Sequence, residues 1–491
     1  MKHVSLPLLA LVLAACVSGP RTEAPAPSAA APAPMVTDRR TAPVLGPPPS
    51  LQLPPIIRRE LSNGLKLLIV EHHELPVADF ILLVGTGGEG DPAGKAGVAT
   101  LTASLLEEGT STRNALQIAD QSAFLGAQVG ATSAWDASRV ALHTPTAQLD
   151  SALALFADVV LRPSFPVTEI ERLRKERLTS LLQVKDQPRA IADRAYASIL
   201  YGAGHPYGQP LSGTESSTQA IVRTDIQQFY RMYYRPNNAT LIIVGDVRPD
   251  EIERKVASLF GSWERGTVAR SEWKQPPPSS TTTIYLIDKP GAPQSSFRIG
   301  SVGVPRSTSD YFALLVMNTI LGGSFTSRLN NNLRETKGYT YGARSRFDMR
   351  RSAGPFTASA EITAAKSDSA LIEFMKELRA IQDTVPVTEL MKAKRLRQLE
   401  LPASFESTRD IASQLIPIVL YDLPGDYYNS YVEQIERVTQ ADVQRAARRY
   451  IDTSKLAVVI VGDRTALESA LKSLQMGTVE IRDITGQPLR P

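Results

Sequence analysis

The sequence predicts an α+β protein made of two similar halves, and three observations support this prediction. Apolar runs with the two-residue period of strands alternate with amphipathic helical runs along most of the chain. The same order of helix, tyrosine and buried strand occurs twice, and Asp225 and Asp442, like Asp246 and Asp463, are separated by 217 residues. Two elements that recur at the same spacing along the sequence indicate an internal duplication. A proline-rich run between the two copies has the composition of a linker.

Length and composition narrow the class of protein. The 491 residues are too many for one ordinary domain, and 43% of them are hydrophobic, which is enough for sizeable cores. The net charge of +4 is small for this length, and basic residues are not interleaved with aromatic ones. Nucleic acid is therefore not an expected partner.

The N-terminus has the features of a targeting signal. The apolar run Val4–Ala15 follows a short basic start and is too short to span a bilayer as a mature helix. It ends in small residues before Cys16, the single cysteine, and so resembles a bacterial lipoprotein signal at 1–15 that is cleaved before a lipidated Cys16. An ordinary secretory signal with an incidental cysteine is the alternative. Residue 17 is Val rather than Asp, which implies an outer-membrane anchor facing the periplasm.

The rest of the chain divides by composition and pattern. An Asn63-Gly64 turn between apolar runs predicts a β-hairpin over 57–70. Helices are expected over 97–108, 114–125 and 167–186, and a buried strand over 239–244. The predicted order is a Pro/Ala-rich tether at 16–54, a first half at 55–265, a linker at 266–281, a second half at 282–475 and a weakly structured tail at 476–491.

The most informative stretch is Leu321–Tyr341. The pair Gly322-Gly323 leads into a helical run that carries Arg334, and a glycine four residues later should end that helix in the left-handed conformation. A strand with Tyr341 follows. Arg334 offers a rigid fork of donors and Tyr341 a phenolic hydroxyl, so together they can hold a carbonyl or carboxylate oxygen of a bound chain. A capped amphipathic helix with a surface arginine is the alternative interpretation.

This stretch resembles the C-terminal half of the insulinase/pitrilysin family of zinc peptidases, the inverted-motif zincins. The resemblance is carried by Ser327-Arg328-Leu329, Leu333-Arg334-Glu335, Gly338 and Tyr341. It implies a clamshell of two halves, each an antiparallel sheet with helices. It also implies that Arg334 and Tyr341 contact substrate near the scissile bond, and that the loop with Gly322 and Gly323 lets the substrate backbone approach.

The zinc motif of that family is absent. In an inverted zincin, H-x-x-E-H on a helix supplies two imidazoles and a general base. The matching helix here carries Thr100, Ala103 and Ser104 at those positions, and the third ligand position falls near Thr179 or Ser180. Hydroxyls are poor zinc ligands beside imidazole, and Ala cannot take a proton. We therefore expect no metal and no cofactor in this chain.

The five histidines do not suggest another metal site. His3 leaves with the signal. His72 and His73, with glutamates on either side, form an extended stretch whose side chains alternate, so a solvated loop is favoured over a shared ion. His205 is expected to stabilise a Pro/Gly turn, and His143 to be structural.

No other chemistry is indicated. Glu107 and Glu108 are expected to form a solvated helix end. There is no G-x-S-x-G elbow and no P-loop, and a lipidated Cys16 leaves no thiol nucleophile.

Three functional hypotheses follow. The first is a non-catalytic subunit of a periplasmic two-chain zinc peptidase, in which a homologous partner with H-x-x-E-H holds the zinc and this chain supplies Arg334 and Tyr341 to a peptide or unfolded protein substrate. The second is an inactive peptide-binding or scaffold lipoprotein of the cell envelope. The third, an active peptidase with a different metal site, is the least favoured.

Overall fold

Two six-stranded sheets, one in each half of the chain, form the framework of the protein. The computed structural model describes residues 46, 54–202, 204–268, 273, 276 and 279–489. Cys16 and the predicted signal at 1–15 lie outside the described residues, as do most of the predicted tether and parts of the predicted linker. Within the described ranges, no helix combines the length and the apolar character that crossing a membrane requires.

The first sheet has the order β1-β2-β6-β3-β5-β4. Its hairpin forms as predicted, because Gly64 takes a φ of 85° in the turn and the backbone N–H of Leu61 donates to the Leu65 carbonyl. Every residue of β6 is buried, in agreement with its unbroken apolar sequence. The strands are β1 Ile57–Glu60, β2 Lys66–Glu71, β3 Val77–Val84, β4 Gln128–Ser133, β5 Ser138–Pro145 and β6 Ala239–Gly245.

Helices of the first half cover one face of this sheet. Leu67 and Phe80 of the sheet and Leu101, Phe156 and Ile226 of the helices belong to one buried apolar cluster. Burying such side chains contributes roughly 1.5–3 kcal/mol each. The helices of the first half, of which α5 packs on the second sheet, are α1 Val98–Leu105, α2 Ala115–Phe124, α3 Leu149–Leu161, α4 Val167–Val184, α5 Pro188–Tyr201, α6 Glu215–Ala220, α7 Arg223–Tyr233 and α8 Pro249–Phe260.

The second sheet has the order β12-β7-β11-β8-β10-β9, and its strands from β7 to β9 repeat the arrangement of the strands from β2 to β4. The outer strands differ, because β1 pairs antiparallel with β2 whereas β12 pairs parallel with β7. Its strands are β7 Thr283–Asp288, β8 Gln294–Val302, β9 Thr340–Phe347, β10 Pro355–Thr363, β11 Ala457–Gly462 and β12 Thr478–Arg482. The helices of this half are α9 Tyr311–Leu321, α10 Arg328–Asn330, α11 Ser367–Ala380, α12 Val387–Glu400, α13 Thr408–Leu420, α14 Tyr431–Arg437, α15 Gln440–Tyr450 and α16 Arg464–Ser473.

The α+β class and the two-half architecture are confirmed, with one refinement of the strand directions. Each sheet is mixed. In the first sheet β2 runs parallel to β6, while β5 pairs antiparallel with both β3 and β4. In the second sheet β7 runs parallel to β11, while β10 pairs antiparallel with both β8 and β9. The central strands are buried on both faces, as is typical of strands in mixed and parallel sheets.

The expectation of a weakly structured tail at 476–491 is wrong for its first part. Strand β12 pairs parallel with β7 and completes the outer edge of the second sheet. Val479 and Ile481 pack against the core of the second half, while Glu480 between them and Thr478 and Arg482 on either side are polar. This two-residue alternation is the signal of a half-buried strand, and it is visible in the sequence.

One helix of each half packs on the sheet of the other half. Helix α5 lies on β8 and β11, and α13 lies on β3 and β6. In the first of these interfaces, Ile191, Ala195 and Tyr196 of α5 pack with Val459 and Val461 of β11.

The second interface has the same form. Ile411, Leu415 and Ile418 of α13 pack with Ile81 of β3 and Ile242 of β6. The halves at 55–265 and 282–475 therefore describe the duplication in the sequence. In the folded protein, each sheet is also covered by one helix from the opposite half.

Polar contacts fix the two exchanged helices in register. The Tyr201 hydroxyl of α5 donates to the Ala353 carbonyl at 2.9 Å. The Thr408 hydroxyl, at the start of α13, donates to the buried carboxylate of Asp79 at 2.6 Å. Buried polar groups need partners, so these bonds favour one docked position of each helix.

The exchange predicts that the two halves unfold together. Leu415→Ala removes a side chain that is 2% exposed at the interface between α13 and the first sheet. We expect the free energy of unfolding to fall by about 2–4 kcal/mol, with one transition retained. Leu399→Ala is the matched control, because Leu399 is 46% exposed on α12. Urea denaturation followed by circular dichroism measures both variants, and two separate transitions in Leu415→Ala would contradict the interpretation.

Candidate functional site

The stretch 321–341 forms the helix-to-strand turn that the sequence predicts, with an unusual helix. After α9, the short helix α10 continues into a π-helical turn over Asn331–Thr336. Gly338 then ends it with a φ of 64°, and its N–H donates to the Arg334 carbonyl at 3.1 Å. Turns of π-helix are rare and occur frequently at functional sites.

Arg334 lies on this π-helical turn with its side chain partly exposed. Its guanidinium carbon is 4.5 Å from the centre of the Phe325 ring, and its Nε is 3.4 Å from a carboxylate oxygen of Glu335. Phe325 is itself 65% exposed. A cation held over an exposed aromatic ring keeps its outer N–H donors available to a bound chain.

Tyr341 is 91% exposed on the edge strand β9. The register between β9 and β10 shifts at this point, because Tyr341 and Gly342 together face the single residue Glu361. The Thr340 hydroxyl stabilises the irregularity by donating to the Glu361 carbonyl at 2.7 Å and accepting from the Gly342 N–H at 3.1 Å. Bulges of this kind redirect a side chain and are common beside active sites.

Internal packing accounts for both glycines at the end of α9. A Cβ on Gly322 would lie 2.3 Å from the backbone nitrogen of Ser345, and one on Gly323 would lie 2.8 Å from the Asn318 side-chain nitrogen. The loop thus lies directly against β9 and α9. A close approach by substrate at Gly322 and Gly323 is not needed to explain the lack of side chains there.

Two buried asparagines that the sequence reasoning did not single out hold this loop in place. Asn318 donates to the Ser345 carbonyl at 3.0 Å and accepts from the Ser345 hydroxyl at 2.8 Å. Asn330 donates to the Phe325 carbonyl at 2.6 Å and accepts from the Ala343 N–H at 3.1 Å. An Asn within the otherwise apolar α9 is the signal that identifies Asn318, since buried amides must be bonded.

The positions of the zinc motif lie on α1 and carry no ligand. The Thr100 hydroxyl is 3.0 Å from the Gly97 carbonyl and 3.2 Å from the Leu211 carbonyl, and the Ser104 hydroxyl donates to the Thr100 carbonyl at 3.0 Å. Ala103 is fully buried. These hydroxyls are therefore bonded to the backbone and not directed at a common point.

The third ligand position is equally unsuited to a metal. Thr179 donates to the Lys175 carbonyl at 2.9 Å, and both Thr179 and Ser180 are exposed on α4. Over the described residues, no group of three or more His, Cys, Asp or Glu side chains is arranged to hold a metal ion. The residues present do not fit the family's zinc ion.

The start of α1 is held by a half-buried polar cluster. Asp91 accepts from the N–H groups of Gly97 and Ala99 at 2.6 and 2.7 Å, and Arg177 donates to the Gly97 carbonyl at 2.8 Å. Burial raises the pKa of Asp91 to about 7. The cluster fixes the start of α1, the helix that carries Thr100, Ala103 and Ser104.

Glu107 and Glu108 differ from the predicted solvated helix end. Glu107 accepts from the N–H of Ala131 on the edge strand β4 at 2.6 Å, and burial raises its pKa. Glu108 lies 2.6 Å from Arg172 of α4. The prediction failed because a pair of glutamates gives no indication of a neighbouring strand edge.

Three of the histidines make side-chain contacts that are structural, whereas His3 lies outside the described residues and Nδ1 of His72 has no hydrogen-bond partner among the described residues. His73 lies 2.7 Å from Asp246 and 3.2 Å from Glu71, and the hydrogen bond with Asp246 raises its pKa. His143 lies 3.0 Å from Asp79. His205 accepts from the Tyr207 N–H at 3.1 Å within its turn.

The cluster at Asp91 predicts a pH-dependent contribution to stability. A carboxyl group with a pKa of about 7 in the folded state stabilises the fold below the unfolded pKa, near 3.9, and loses this contribution as the pH rises through 7. Relative to Asp91→Asn, the wild type should therefore lose roughly 3 kcal/mol between pH 4.5 and pH 8, because the loss is about 1.4 kcal/mol per pH unit up to the folded-state pKa of about 7.

Asp463→Asn is the matched control, with the opposite sign. Asp463 caps α16, is partly exposed, and has its pKa lowered by the hydrogen bond from the Thr465 hydroxyl. Its contribution should therefore be present at neutral pH and be lost in acid. Urea titrations at the two pH values measure both variants, and a pH-independent difference for Asp91→Asn contradicts the assignment.

Comparisons with known proteins show the family of this chain. Residues 66–215 match the model of the insulinase family, peptidase family M16, and residues 220–397 match that of the peptidase M16 inactive domain. The chain is similar to a crystal structure of a peptidase M16 inactive domain from Pseudomonas fluorescens, with 29% identity and a TM-score of 0.78 over 83% of this chain and 98% of that one.

Curated relatives carry the name of uncharacterized zinc protease. One from Mycobacterium leprae is 30% identical over 60% of this chain and 66% of its own length, which is just under two thirds of that relative. One from Mycobacterium tuberculosis is 26% identical over 85% of this chain and 96% of its own length. The two family models follow one another along the chain and describe the same family, so the chain belongs to the insulinase family of peptidases, M16.

Proposed function

We propose that this chain is a non-catalytic subunit of a two-chain zinc peptidase of the cell envelope. The observation that carries the proposal is an asymmetry between the halves. The first half has Thr100, Ala103 and Ser104 where the family has its zinc ligands and base, while the second half presents Arg334 and Tyr341 at an exposed edge. The model of the peptidase M16 inactive domain matches residues 220–397, the part of the chain that carries Arg334 and Tyr341, and so supports the role given to the second half.

In this proposal, Arg334 and Tyr341 act on the main chain of a peptide or unfolded protein. Both sit on a rigid frame, since Asn318 and Asn330 hold the loop and the bulge sets the direction of Tyr341. Donors held in place before the reaction stabilise charge that develops on a substrate oxygen, because they need no reorganisation. Arg334 would supply charged donors and Tyr341 a neutral one.

The partner we propose is a homologous subunit that carries H-x-x-E-H and holds the zinc. The names of the curated relatives, uncharacterized zinc proteases, support zinc chemistry for those proteins. A lipidated Cys16 would anchor the complex to the outer membrane, with the folded part in the periplasm. The alternative, a peptide-binding or scaffold lipoprotein, predicts the same anchor without hydrolysis.

Purification of the tagged chain from its native membranes, followed by mass spectrometry and peptide-cleavage assays, tests the proposal. We expect a stoichiometric partner with H-x-x-E-H and activity in the mixed complex. Arg334→Ala should lower kcat/KM of that complex by about 100- to 1,000-fold, the range for loss of one oxyanion donor. Arg344→Ala is the control, because Arg344 is an exposed arginine on β9, the strand that carries Tyr341.

Assembly separates the possible outcomes of that experiment. Gel filtration of the Arg334→Ala complex should match the wild type, because an exposed side chain is removed. Unchanged turnover, or an effect equal to that of Arg344→Ala, would show that Arg334 does not grip substrate. Recovery of the chain alone, or with unrelated envelope proteins, would favour the scaffold alternative.

Metal content gives a second, independent prediction. After dialysis against a weak chelator, the wild-type chain should hold no stoichiometric zinc, since hydroxyls bonded to the backbone replace the ligands. The triple variant T100H/A103E/S104H should gain weak zinc binding through two imidazoles one turn apart. Adding Ser180→Glu should strengthen it, with Asp186→Glu as the control. Emission spectroscopy measures the zinc, and one tightly held ion per wild-type chain contradicts the prediction.

A further inference from the structure

A second candidate site lies in the helical layer of the second half. A cavity of 460 Å³ opens between α9, α12, α13 and α14, at the end of β9. This volume lies within the range of roughly 300–1,000 Å³ that is typical of small-molecule sites. Aromatic side chains make up much of its wall, among them Tyr311, Phe347, Tyr421, Tyr428 and Tyr431.

A buried cation faces this cavity without a carboxylate partner. Arg306 is 8% exposed, and its guanidinium carbon lies 3.5 Å from the centre of the Tyr311 ring. Its Nη2 donates to the Tyr427 hydroxyl at 2.8 Å. Over the described part of the chain, Nε and Nη1 of Arg306 have no hydrogen-bond acceptor, and no carboxylate oxygen lies within 4 Å of the group. Contact with an aromatic face offsets only part of the cost of burying a charge.

The other charges at the cavity are already paired. Asp348 accepts from Nε of Arg350 at 3.0 Å, and Glu400 accepts from Arg397 at 3.1 Å. The tyrosines do not supply a counter-charge, because burial raises the pKa of Tyr428 and, to about 12, that of Tyr421. These pairs leave one positive charge at Arg306, which suits a monoanion better than a dianion.

We propose that this cavity binds a carboxylate attached to an apolar or aromatic group, with Arg306 receiving the carboxylate. Two parallel hydrogen bonds from a guanidinium to a carboxylate are among the strongest in proteins. Nη2 with either Nε or Nη1 provides the required fork, because Nη2 has a second N–H beside the one that it donates to Tyr427. The aromatic walls take the apolar group, and the volume accommodates one or two residues of a peptide. The ligand is thus the C-terminal end of a peptide or a free aromatic acid. This proposal does not depend on the proposed role in hydrolysis.

Isothermal titration calorimetry of the full chain at low salt tests the proposal with three probes. These are N-acetyl-Ala-Phe with a free carboxylate, the same peptide as its C-terminal amide, and 3-phenylpropionate. The free acid should bind about 10- to 100-fold more tightly than the amide, the range expected for hydrogen bonds to a charged group. Binding of the peptide acid supports a chain end as ligand. Binding of 3-phenylpropionate alone supports a small aromatic acid.

Variants locate the binding. Arg306→Met should remove the preference for the acid, whereas Arg344→Met, on exposed β9, should leave it unchanged. Ser404→Trp fills the cavity without touching the guanidinium and should block the acid and the amide alike. Ser404→Trp therefore tests the location of the site even if Arg306→Met does not fold. Equal affinities for acid and amide, wild-type affinity in Ser404→Trp, or no heat from any probe at millimolar concentration would overturn the proposal.

Discussion

The structure depends on the need to cover both faces of two sheets with the helices of one chain. Central strands such as β6 and β11 are buried over their whole length, so a sheet covered on one face alone would expose a broad apolar surface. Each half covers one face with its own helices and the other with a helix from the opposite half. This interlocked core positions α1, which carries the zinc-motif positions, and the helical turn and strand that carry Arg334 and Tyr341.

Much of the fold was predictable because it is local or repeated. The Asn63-Gly64 hairpin, the duplication and the Gly338 helix end follow from turn chemistry, register and the left-handed preference of glycine. The exchange of α5 and α13 was not predictable, because an amphipathic helix shows that it has an apolar face and not which sheet that face covers. Strand β12 was missed although Val479 and Ile481 alternate with polar residues, since a five-residue strand at a chain end gives a weak signal.

The candidate site shows the same division. The sequence identified Arg334 and Tyr341 and the substitutions on α1, since these are residue identities in a recognisable motif. It did not identify the supports: Asn318, Asn330 and the bulge on β9 act through distant partners that spacing does not reveal. Nor did it single out Arg306, whose interest comes from burial without a counter-charge. The chain thus keeps a well-ordered frame around both its substituted motif and its exposed edge.

The exchanged helices also set an order of events during synthesis. The strands of the first sheet are complete once Gly245 has left the ribosome, but the face that receives α13 stays uncovered until residues 408–420 follow. At about 5–20 residues per second, this interval lasts on the order of ten seconds or more. The nascent first half therefore presents Ile81 and Ile242 to its surroundings during that time. Until α13 docks, this apolar face is open to non-specific association, which is the kinetic cost of an interlocked core.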